Sequence, residues 1–216
     1  MRHPIIKGLN IPVRTIFCIG RNYAKHATEM NASIPKNPVI FLKPLSSICY
    51  DGDTVELPSL SQNVHYEGEI VIAIGKSGKN ISPHDALTHI AGIGCGIDLT
   101  ARNLQQHAKT NGLPWAIAKG FDGFAPTSPF KPIENFDLEN LTFELLINDT
   151  IRQTGIISDL IFSIPELISY LSSIGTLHLG DLIFTGTPEG VGQVNKGDTI
   201  TVSILHSECS VSVYIS

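Results

Sequence analysis

The sequence contains few cysteines and no cluster of them. The four cysteines, Cys18, Cys49, Cys95 and Cys209, lie far apart and form no Cys-x-x-Cys pair. This spacing argues against a disulfide framework and against a cysteine-based zinc site, and it indicates buried thiols in a reducing compartment. We therefore expect a cytoplasmic protein.

The chain also lacks basic runs and long apolar segments. It carries 15 Lys and Arg against 20 Asp and Glu, a net charge of −5, which argues against a nucleic-acid partner. No apolar run approaches the ~18 residues of a membrane span. Lys7, Asn10 and Arg14 interrupt the N-terminal segment, so we expect neither a membrane span nor a secretory signal.

What the chain does contain is apolar residues, which make up 42% of its 216 positions and suffice for the core of one large domain. Short β-branched segments outnumber helical ones, and strand and helix do not alternate regularly. This pattern favours a strand-rich α+β fold over a parallel doubly wound sheet. We expect residues 1–13 to form an irregular N-terminal extension and residues 14–216 to form a single domain.

Several local patterns predict individual elements. The segments concerned are a short helix over 22–30, a loop over 31–38, strands over 70–74, 90–99 and 115–118, and helices over 100–110 and 163–174. Asn148-Asp149 predicts a hairpin turn. The glycines at 92, 94 and 96 lie inside an apolar strand and predict close packing of backbones rather than a dinucleotide loop. The loop from Gly186 to Gly192 lacks the Lys-Ser/Thr pair of a Walker motif, but its amides could hold an anion such as a carboxylate.

Two carboxylates, Glu67 and Glu69, precede the apolar strand over 70–74. If that strand already includes them, they point to the same face. Neighbouring buried carboxylates repel each other, and an oxygen-preferring cation such as Mg²⁺ or Mn²⁺ would resolve the conflict. Asp98, about thirty residues further on, ends the next strand and is a candidate third ligand. The alternatives are a solvated strand end for the pair and a helix N-cap for Asp98.

A possible proton acceptor lies nearer the N-terminus. His26 and Glu29 are three residues apart, so on a helix Glu29 can orient His26 and raise its basicity for general-base activation of water. An incidental ion pair on an exposed helix face is the alternative. Lys43, Arg102, Gln105 and Lys119 are either separate surface residues or, together, a binding site for an anionic substrate.

Six motifs occur in order along the chain. They are Gly20-Arg-Asn-Tyr-Ala-Lys-His26-Ala-Thr-Glu29, Phe41-Leu-Lys43-Pro, His65-Tyr-Glu67-Gly-Glu69, Asp98-Leu-Thr-Ala-Arg102-Asn-Leu-Gln105, Gly112-Leu-Pro-Trp115-Ala-Ile-Ala-Lys119-Gly-Phe and Thr185-Gly-Thr187-Pro-Glu-Gly-Val-Gly192. The set resembles the fumarylacetoacetate hydrolase family over residues 14–216. The Gly-Leu-Pro-Trp and Ile161-Phe-Ser-Ile-Pro stretches are most similar to its acylpyruvase and oxaloacetate decarboxylase branch, the FAH-domain-containing protein 1 type.

This resemblance implies a mixed β-sandwich roll, a homodimer, and a catalytic domain that binds Mg²⁺ or Mn²⁺ through Glu67, Glu69 and Asp98. It implies that His26 and Glu29 lie on a mobile lid and activate water, and that Lys119 contacts the substrate. The resemblance implies Arg102, Gln105 and Thr187 as substrate-binding residues, and we expect Arg21 and Lys43 to bind substrate with them. Two departures from the family pattern are Asn103, where Asp is usual, and the loop over 120–125.

The activity that the resemblance implies is divalent-metal-dependent cleavage of C–C bonds in small 2-oxo acids, through a metal-stabilised enolate. The substrates would be acylpyruvates, which are hydrolysed to pyruvate and a carboxylic acid, or oxaloacetate, which is decarboxylated. Alternatives with the same site are hydrolysis of fumarylpyruvate and isomerisation or hydration of a 2-oxo-dienoate of aromatic catabolism. A different class is a non-catalytic, Ca²⁺-dependent β-rich binding module, which would not need His26, Glu29 and Lys119.

Overall fold

The computed structural model describes residues 3–29 and 33–216. Its strands are β1 (Ile5–Ile6), β2 (Ile11–Pro12), β3 (Ile16–Gly20), β4 (Val39–Lys43), β5 (Ile48–Cys49), β6 (Thr54–Val55), β7 (Val64–Tyr66), β8 (Gly68–Ile74), β9 (Ile90–Ile97), β10 (Thr100–Ala101), β11 (Ala125–Pro126), β12 (Thr142–Ile147), β13 (Thr150–Ile156), β14 (Leu182–Phe184), β15 (Gly192–Gln193), β16 (Thr199–Ile204) and β17 (Ser210–Ile215). Its α-helices are α1 (Ala24–Glu29), α2 (Arg102–Asn111), α3 (Ala116–Lys119) and α4 (Ile164–Ile174). Short 3₁₀ turns lie at Leu45–Ser47, Ala86–His89, Ile133–Asn135 and Ile157–Asp159.

Two five-stranded sheets form the body of the fold. The first has the order β4-β3-β14-β8-β9 and the second the order β13-β12-β16-β17-β6. Neighbouring strands are antiparallel except in the pairs β3–β14 and β6–β17. Smaller sheets pair β1 with β2, β5 with β11, and β10, β7 and β15 in that order. This arrangement confirms the strand-rich α+β prediction.

The core lies on both faces of β8, which is buried along its whole length. Alternation of side chains sends Ile70 and Ile72 into a large cluster with Phe143, Leu145 and Val202 of the second sheet. Val71 and Ala73 point the other way and join a smaller cluster with residues of β3 and β14. Each fully buried Ile, Val or Leu side chain among them contributes on the order of 1.5–3 kcal/mol. The strand that carries Glu69 is therefore fixed by packing on two sides.

The segment before residue 14 is more ordered than the sequence predicts. Ile5–Ile6 and Ile11–Pro12 pair as antiparallel strands, and Ile6 and Val13 are buried in the smaller core cluster. The irregular conformation expected for residues 1–13 is therefore wrong for this hairpin, because its apolar side chains cover one face of the first sheet. The boundary drawn at residue 13 stays a prediction.

The glycines of β9 allow other chain segments to approach closely. A Cβ atom on Gly92 would lie 2.5 Å from the carbonyl oxygen of Lys131, and one on Gly96 would lie 2.7 Å from the ring of Phe184. Both distances are shorter than real Cβ contacts, so a side chain is excluded at these positions. The prediction of close backbone packing in this strand is confirmed.

The predicted strand over 115–118 is wrong, because the segment forms α3. The carbonyl oxygen of Trp115 accepts the N–H groups of Ala118 (2.9 Å) and Lys119 (3.1 Å), and that of Ala116 accepts the N–H of Gly120 (2.9 Å). A four-residue apolar run has no usable periodicity, and alanine favours a helix. Helix α2 begins at Arg102 rather than at residue 100, since Thr100 and Ala101 pair with β7.

Other local predictions are confirmed. Asn148 and Asp149 have φ values of 48° and 63°, as a tight hairpin turn between β12 and β13 requires. Ser163 caps α4 and forms a capping box with Glu166. Helix α1 lies within the predicted segment 22–30, whereas Met30 and the first two residues of the loop over 31–38 lie outside the described residues. Among the helices that the structure describes, none is long and apolar enough to cross a membrane.

Candidate metal centre

Antiparallel pairing of β8 with β9 brings the three candidate ligands together. Gly68 lies opposite Ile97, and the N–H of Asp98 donates to the carbonyl oxygen of Glu67 (2.7 Å). Glu67 occupies the break between β7 and β8, so the two glutamates are not on one continuous strand. Even so, Glu67, Glu69 and Asp98 each offer a carboxylate oxygen within 4.8 Å of the others.

All three carboxylates are buried, with exposed fractions of 5%, 2% and 1% for Glu67, Glu69 and Asp98. The alternative of a solvated strand end is therefore wrong. The N-cap alternative for Asp98 is wrong as well, because Ala101 occupies the N-cap of α2 and no side chain caps it. Burying three carboxylates in one place requires positive charge nearby.

Part of that charge comes from the chain itself. The Nζ of Lys119 donates to Glu67 Oε2 (2.8 Å), Asp98 Oδ2 (2.5 Å) and Thr100 Oγ1 (2.6 Å). Arg102 Nη2 donates to Glu67 Oε1 (2.5 Å). Lys43 Nζ lies 2.7 Å from Asp98 Oδ1, but Oδ1 receives no hydrogen bond of acceptable geometry. The buried oxygen Asp98 Oδ1 thus keeps an unused acceptor site.

Glu69 has no such cationic partner in the part of the chain that the structure describes. The backbone N–H of Gly186 donates to its Oε2 (2.7 Å). Burial and the nearby Asp98 raise the pKa of Glu69 well above its usual range. Burial opposes ionisation of Glu67 too, but Lys119 and Arg102 outweigh it and hold the pKa of that carboxyl well below its usual range.

The triad therefore fits a hard divalent cation. Its donors are carboxylate oxygens only, which suits Mg²⁺ or Mn²⁺ better than a metal that prefers nitrogen or sulfur. Glu69 lacks a compensating charge and Asp98 Oδ1 lacks a hydrogen bond. A cation bound by the three residues would satisfy both.

The predicted His26–Glu29 pair forms on α1. His26 Nδ1 lies 3.2 Å from Glu29 Oε2, and the His26 side chain is buried. The two oxygens of Glu29 also accept the N–H of Gly190, at 3.2 and 3.3 Å. The loop that was expected to hold an anion on its amides does hold carboxylates, those of Glu29 and Glu69. The alternative of an exposed, incidental ion pair is wrong for His26.

Most of the expected substrate-binding residues line one pocket with the triad. Arg21, Arg102, Gln105 and Thr187 do so, together with His26 and Lys119. Arg102 Nη1 donates to Gln105 Oε1 (2.8 Å), and the Thr187 hydroxyl donates to the carbonyl of Gly68 (2.8 Å). The free volume is about 30 Å³, which is roughly the space of one water molecule.

Lys43 is the exception among them. It is 3% exposed, and its Nζ donates to the carbonyl oxygens of Leu99 (3.0 Å) and Lys119 (2.6 Å) behind Asp98. Because Lys43 does not line the pocket, the expectation that it contacts substrate is corrected to a supporting position: it holds the backbone that presents Asp98 and Lys119.

Sequence patterns did not indicate three further residues of the site. Lys109 and Trp115 line the pocket, and Lys109 Nζ lies 5.3 Å from the Trp115 ring centroid. Gln153 is buried in β13, where its Oε1 accepts the N–H of Gly68 (2.9 Å) and its Nε2 donates to Thr187 Oγ1 (2.9 Å). The sequence signal for Gln153 was a polar residue at an inward-facing position of an alternating strand. The signal for Lys109 was its position seven residues after Arg102 on the same helix, which places both on one face.

The two departures from the family pattern lie away from the pocket. Asn103 is exposed, and its Oδ1 accepts the Ser61 hydroxyl (2.5 Å), whereas Arg102 is held by Glu67 and Gln105. Residues 120–123 line a separate surface groove with residues of 53–60. Neither Asn103 nor a residue of 120–125 is among the residues that line the pocket with the triad.

Comparison with known proteins agrees with this geometry. Residues 15–212 match the model of the family described as fumarylacetoacetate (FAA) hydrolase C-terminal. The chain belongs to the fumarylacetoacetate hydrolase family. The family prediction made from the ordered motifs is confirmed.

Relatives within the fumarylacetoacetate hydrolase family cover most of the chain. The chain is 47% identical over 190 residues to the mitochondrial oxaloacetate tautomerase FAHD1 of Arabidopsis thaliana, covering 88% of this chain and 85% of the relative. It is 43% identical over 193 residues to the mitochondrial oxaloacetate decarboxylase of Dictyostelium discoideum, with 88% of each covered. The crystal structure of fumarylpyruvate hydrolase from Pseudomonas aeruginosa in complex with Mn²⁺ and pyruvate superposes with a TM-score of 0.90 and 38% identity, covering 95% of this chain and 90% of that one.

Proposed function

We propose that this protein is a divalent-metal-dependent enzyme that cleaves C–C bonds in small 2-oxo acids, by hydrolysing acylpyruvates or decarboxylating oxaloacetate. The observation that carries the proposal is the buried triad Glu67, Glu69 and Asp98 at the base of a pocket that also contains cations and a His–Glu pair. The names of the relatives, oxaloacetate decarboxylase and fumarylpyruvate hydrolase, support it. Fumarylpyruvate hydrolysis and 2-oxo-dienoate isomerisation or hydration remain alternatives at the same site.

We further propose Mg²⁺ or Mn²⁺ as the cation, held by the three carboxylates. When bound, a divalent cation supplies Lewis-acid stabilisation of the negative charge that develops on the 2-oxo oxygen as the C–C bond breaks. Arg102 and Gln105 are placed to orient the carboxylate next to the 2-oxo group. Lys119 donates hydrogen bonds to Glu67 and Asp98, and these two carboxylates raise the pKa of Lys119 despite its burial. The homodimer and the cytoplasmic location stay predictions.

The hydrolytic reaction also needs a proton acceptor. With the Nδ1–H of His26 donated to Glu29, Nε2 is the nitrogen left to take a proton from water. The oxygen of that water adds to the carbonyl carbon remote from the carboxylate, the bond to the neighbouring CH₂ breaks, and its electron pair stays with the pyruvate fragment as an enolate. The CH₂ carbon then takes up the proton held by His26 and becomes the methyl group of pyruvate, while the acyl group leaves as a carboxylic acid. Glu29 stabilises the imidazolium while it carries the proton.

The first prediction concerns turnover itself. With Mg²⁺ or Mn²⁺, the purified protein is expected to release pyruvate from acetylpyruvate or oxaloacetate, and EDTA is expected to abolish this until metal is added back. Pyruvate is measured by coupling to lactate dehydrogenase, with a protein-free control for metal-catalysed loss of CO₂. Absence of metal-dependent turnover of oxaloacetate, acetylpyruvate and fumarylpyruvate would refute the proposal, and Ca²⁺ binding without turnover would favour the binding module.

The second prediction separates hydrolysis from decarboxylation. In His26→Ala, acetylpyruvate hydrolysis is expected to fall about 10²–10⁴-fold, the contribution of a positioned general base. Decarboxylation of oxaloacetate needs no activated water and should fall less. The exposed His84→Ala is the matched control. Equal losses in both reactions, or retained hydrolysis, would contradict the role of His26.

A second candidate function is tautomerisation of oxaloacetate, the activity in the name of the Arabidopsis relative. The His26–Glu29 pair favours it, because tautomerisation breaks the C3–H bond and protonates the 2-oxo oxygen, which requires a proton acceptor but no cleavage of a C–C bond. Loss of the enol absorbance of oxaloacetate without formation of pyruvate would identify this activity in the same assay.

A further inference from the structure

Two cations in the pocket have no acidic partner. Arg21 and Lys109 both line the cavity that contains the triad, and both are partly buried. In the described residues, neither lies within 4.0 Å of a carboxylate oxygen, whereas Arg102 and Lys119 are paired with Glu67. The positive charge of Arg21 and Lys109 is therefore in excess of what the triad neutralises, and a bound divalent cation increases that excess.

Lys109 is held in place by aromatic packing. It lies two turns after Arg102 on α2, so both side chains are on one face of the helix. Its Nζ is 5.3 Å from the centroid of Trp115, whose ring packs on Phe41 with centroids 5.5 Å apart. A cation over the face of an indole is attracted by its quadrupole. This contact fixes an ammonium group at the pocket wall without neutralising it.

Arg21 approaches the same wall from the first sheet. It follows Gly20, and a Cβ on that glycine would lie 3.4 Å from the Trp115 ring. Arg21 itself has a φ of 60°, an uncommon value for a residue with a side chain and one that is often found at functional sites. The Trp115 ring thus lies against both the residue preceding Arg21 and the side chain of Lys109.

The charge environment of Lys109 agrees with an anion site. Burial, followed by repulsion from Arg102 and Arg21, lowers the pKa of Lys109 to about 8. Glu67 acts in the opposite direction, and Lys119 adds to the repulsion. An anion placed between the cations would relieve this repulsion.

We propose that Arg21 and Lys109 form a subsite for the second carboxylate of the substrate, and that the enzyme therefore prefers dicarboxylic 2-oxo acids, such as oxaloacetate or fumarylpyruvate, over monocarboxylic acylpyruvates. The inference rests on the metal and carboxylate site of the proposed function, because the carboxylate next to the 2-oxo group is taken to lie by the triad, Arg102 and Gln105. Among the reactions proposed for that site, it favours those of oxaloacetate and fumarylpyruvate over hydrolysis of acylpyruvates. The new element is the assignment of Arg21 and Lys109 as the residues that recognise the second carboxylate, at the far end of the substrate.

The subsite has opposite effects on two reactions of oxaloacetate. In tautomerisation, C3 loses a proton, the 2-oxo oxygen gains one, and the second carboxylate keeps its charge. In decarboxylation, the bond from C3 to that carboxylate breaks, its electron pair stays on C3, and the carboxylate leaves as neutral CO₂. Cations that hold the carboxylate stabilise the ground state of this second reaction more than its transition state. For oxaloacetate the subsite therefore favours proton transfer over loss of CO₂.

The test compares substrates in Lys109→Met and Arg21→Gln. Oxaloacetate is followed by its total consumption. In each variant, kcat/KM for oxaloacetate divided by kcat/KM for acetylpyruvate is expected to fall at least about tenfold, because one charge-assisted hydrogen bond is lost. Among products of oxaloacetate, the fraction that appears as pyruvate should rise. Lys109→Arg should retain the ratio, and the exposed Lys79→Met is the matched control. An unchanged ratio of the two kcat/KM values in Lys109→Met and Arg21→Gln overturns the subsite. So does a loss of this ratio in Lys109→Arg while the fraction of oxaloacetate that appears as pyruvate stays unchanged.

A binding measurement separates failure of the subsite from failure of the proposed function. Trp115 is the one tryptophan of the chain, so its fluorescence reports on the pocket directly. In the presence of Mg²⁺, 2-oxoglutarate should bind at least about tenfold more tightly than 2-oxopentanoate, which lacks the second carboxylate, and Lys109→Met should remove the difference. Tighter binding of 2-oxoglutarate supports the subsite even if the protein turns over no substrate. Equal affinities for the two ligands in the wild type overturn the subsite even if the protein turns over both oxaloacetate and acetylpyruvate.

Discussion

Glu69→Gln is expected to abolish metal binding and turnover while leaving the metal-free protein at least as stable as the wild type. The expectation follows from the position of Glu69, which is 2% exposed, faces Asp98 and receives a hydrogen bond from the Gly186 amide but contacts no cationic side chain of the described residues. A neutral glutamine keeps an oxygen for that amide and removes the repulsion from Asp98. The substitution therefore removes a metal ligand and a source of electrostatic strain together.

The size of the two effects differs. Turnover should fall roughly a thousandfold or more, because a Lewis-acid cation contributes several kcal/mol and about 1.4 kcal/mol corresponds to tenfold. The melting temperature of the metal-free variant should be unchanged or higher, by about 2–4 °C for each kcal/mol of relieved repulsion in a chain of this size. Calorimetric titration with Mn²⁺ and thermal unfolding in EDTA measure the two quantities.

Glu134→Gln, an exposed glutamate in a 3₁₀ turn, is the matched control and should bind metal normally. If Glu69→Gln bound Mn²⁺ as tightly as the wild type, the ligand assignment would fail. A large loss of stability in EDTA would show instead that Glu69 supports the fold, which its contacts do not indicate.

Lys119→Met should destabilise the metal-free protein strongly, the reverse of Glu69→Gln. Lys119 is 1% exposed and its ammonium donates to Glu67, Asp98 and Thr100 at once. Removing it leaves two buried carboxylates without their shared cation, and losing one partner of such a pair costs about 3–5 kcal/mol. For a chain of this size the melting temperature should drop about 6–20 °C.

Added divalent cation should recover part of this loss. Since Mn²⁺ would neutralise the same carboxylates and binds the folded state, it should raise the melting temperature of Lys119→Met more than that of the wild type. Thermal unfolding across a Mn²⁺ titration measures this, with Lys79→Met as the control. A variant that unfolds at the wild-type temperature in EDTA would contradict the charge-pairing role, and turnover at the wild-type rate would contradict its place in the site.

The grouping of the three carboxylates was accessible from the sequence because it depends on short-range features. Glu67 and Glu69 are two residues apart beside an apolar strand, and Asp98 ends the strand that pairs with it, so adjacency in the sheet follows from strand pairing alone. Strand-rich architecture was predictable for the same reason, since alternating β-branched segments have a period that sequence shows directly.

The rest of the site depends on contacts between distant segments. Helix α3 was predicted as a strand because four apolar residues are too few to show a helical or strand period. The contact between Trp115 and Lys109 could therefore not be predicted. Lys43 is a cationic residue of the kind that binds anionic substrates. Its orientation, however, is set by the carbonyl oxygens of Leu99 and Lys119, which are distant in sequence. Gln153 likewise acquires its role only when the strand that carries it packs beside Gly68 and Thr187.

The carboxylate of Glu29 makes two contacts at once. It orients His26, and it fastens α1 to the backbone of Gly190. A displacement of Gly190 therefore also displaces the carboxylate that contacts His26. The loop over 186–192 and helix α1 are thus connected through one side chain, so a substitution near Gly190 is expected to change the orientation of His26 without touching it.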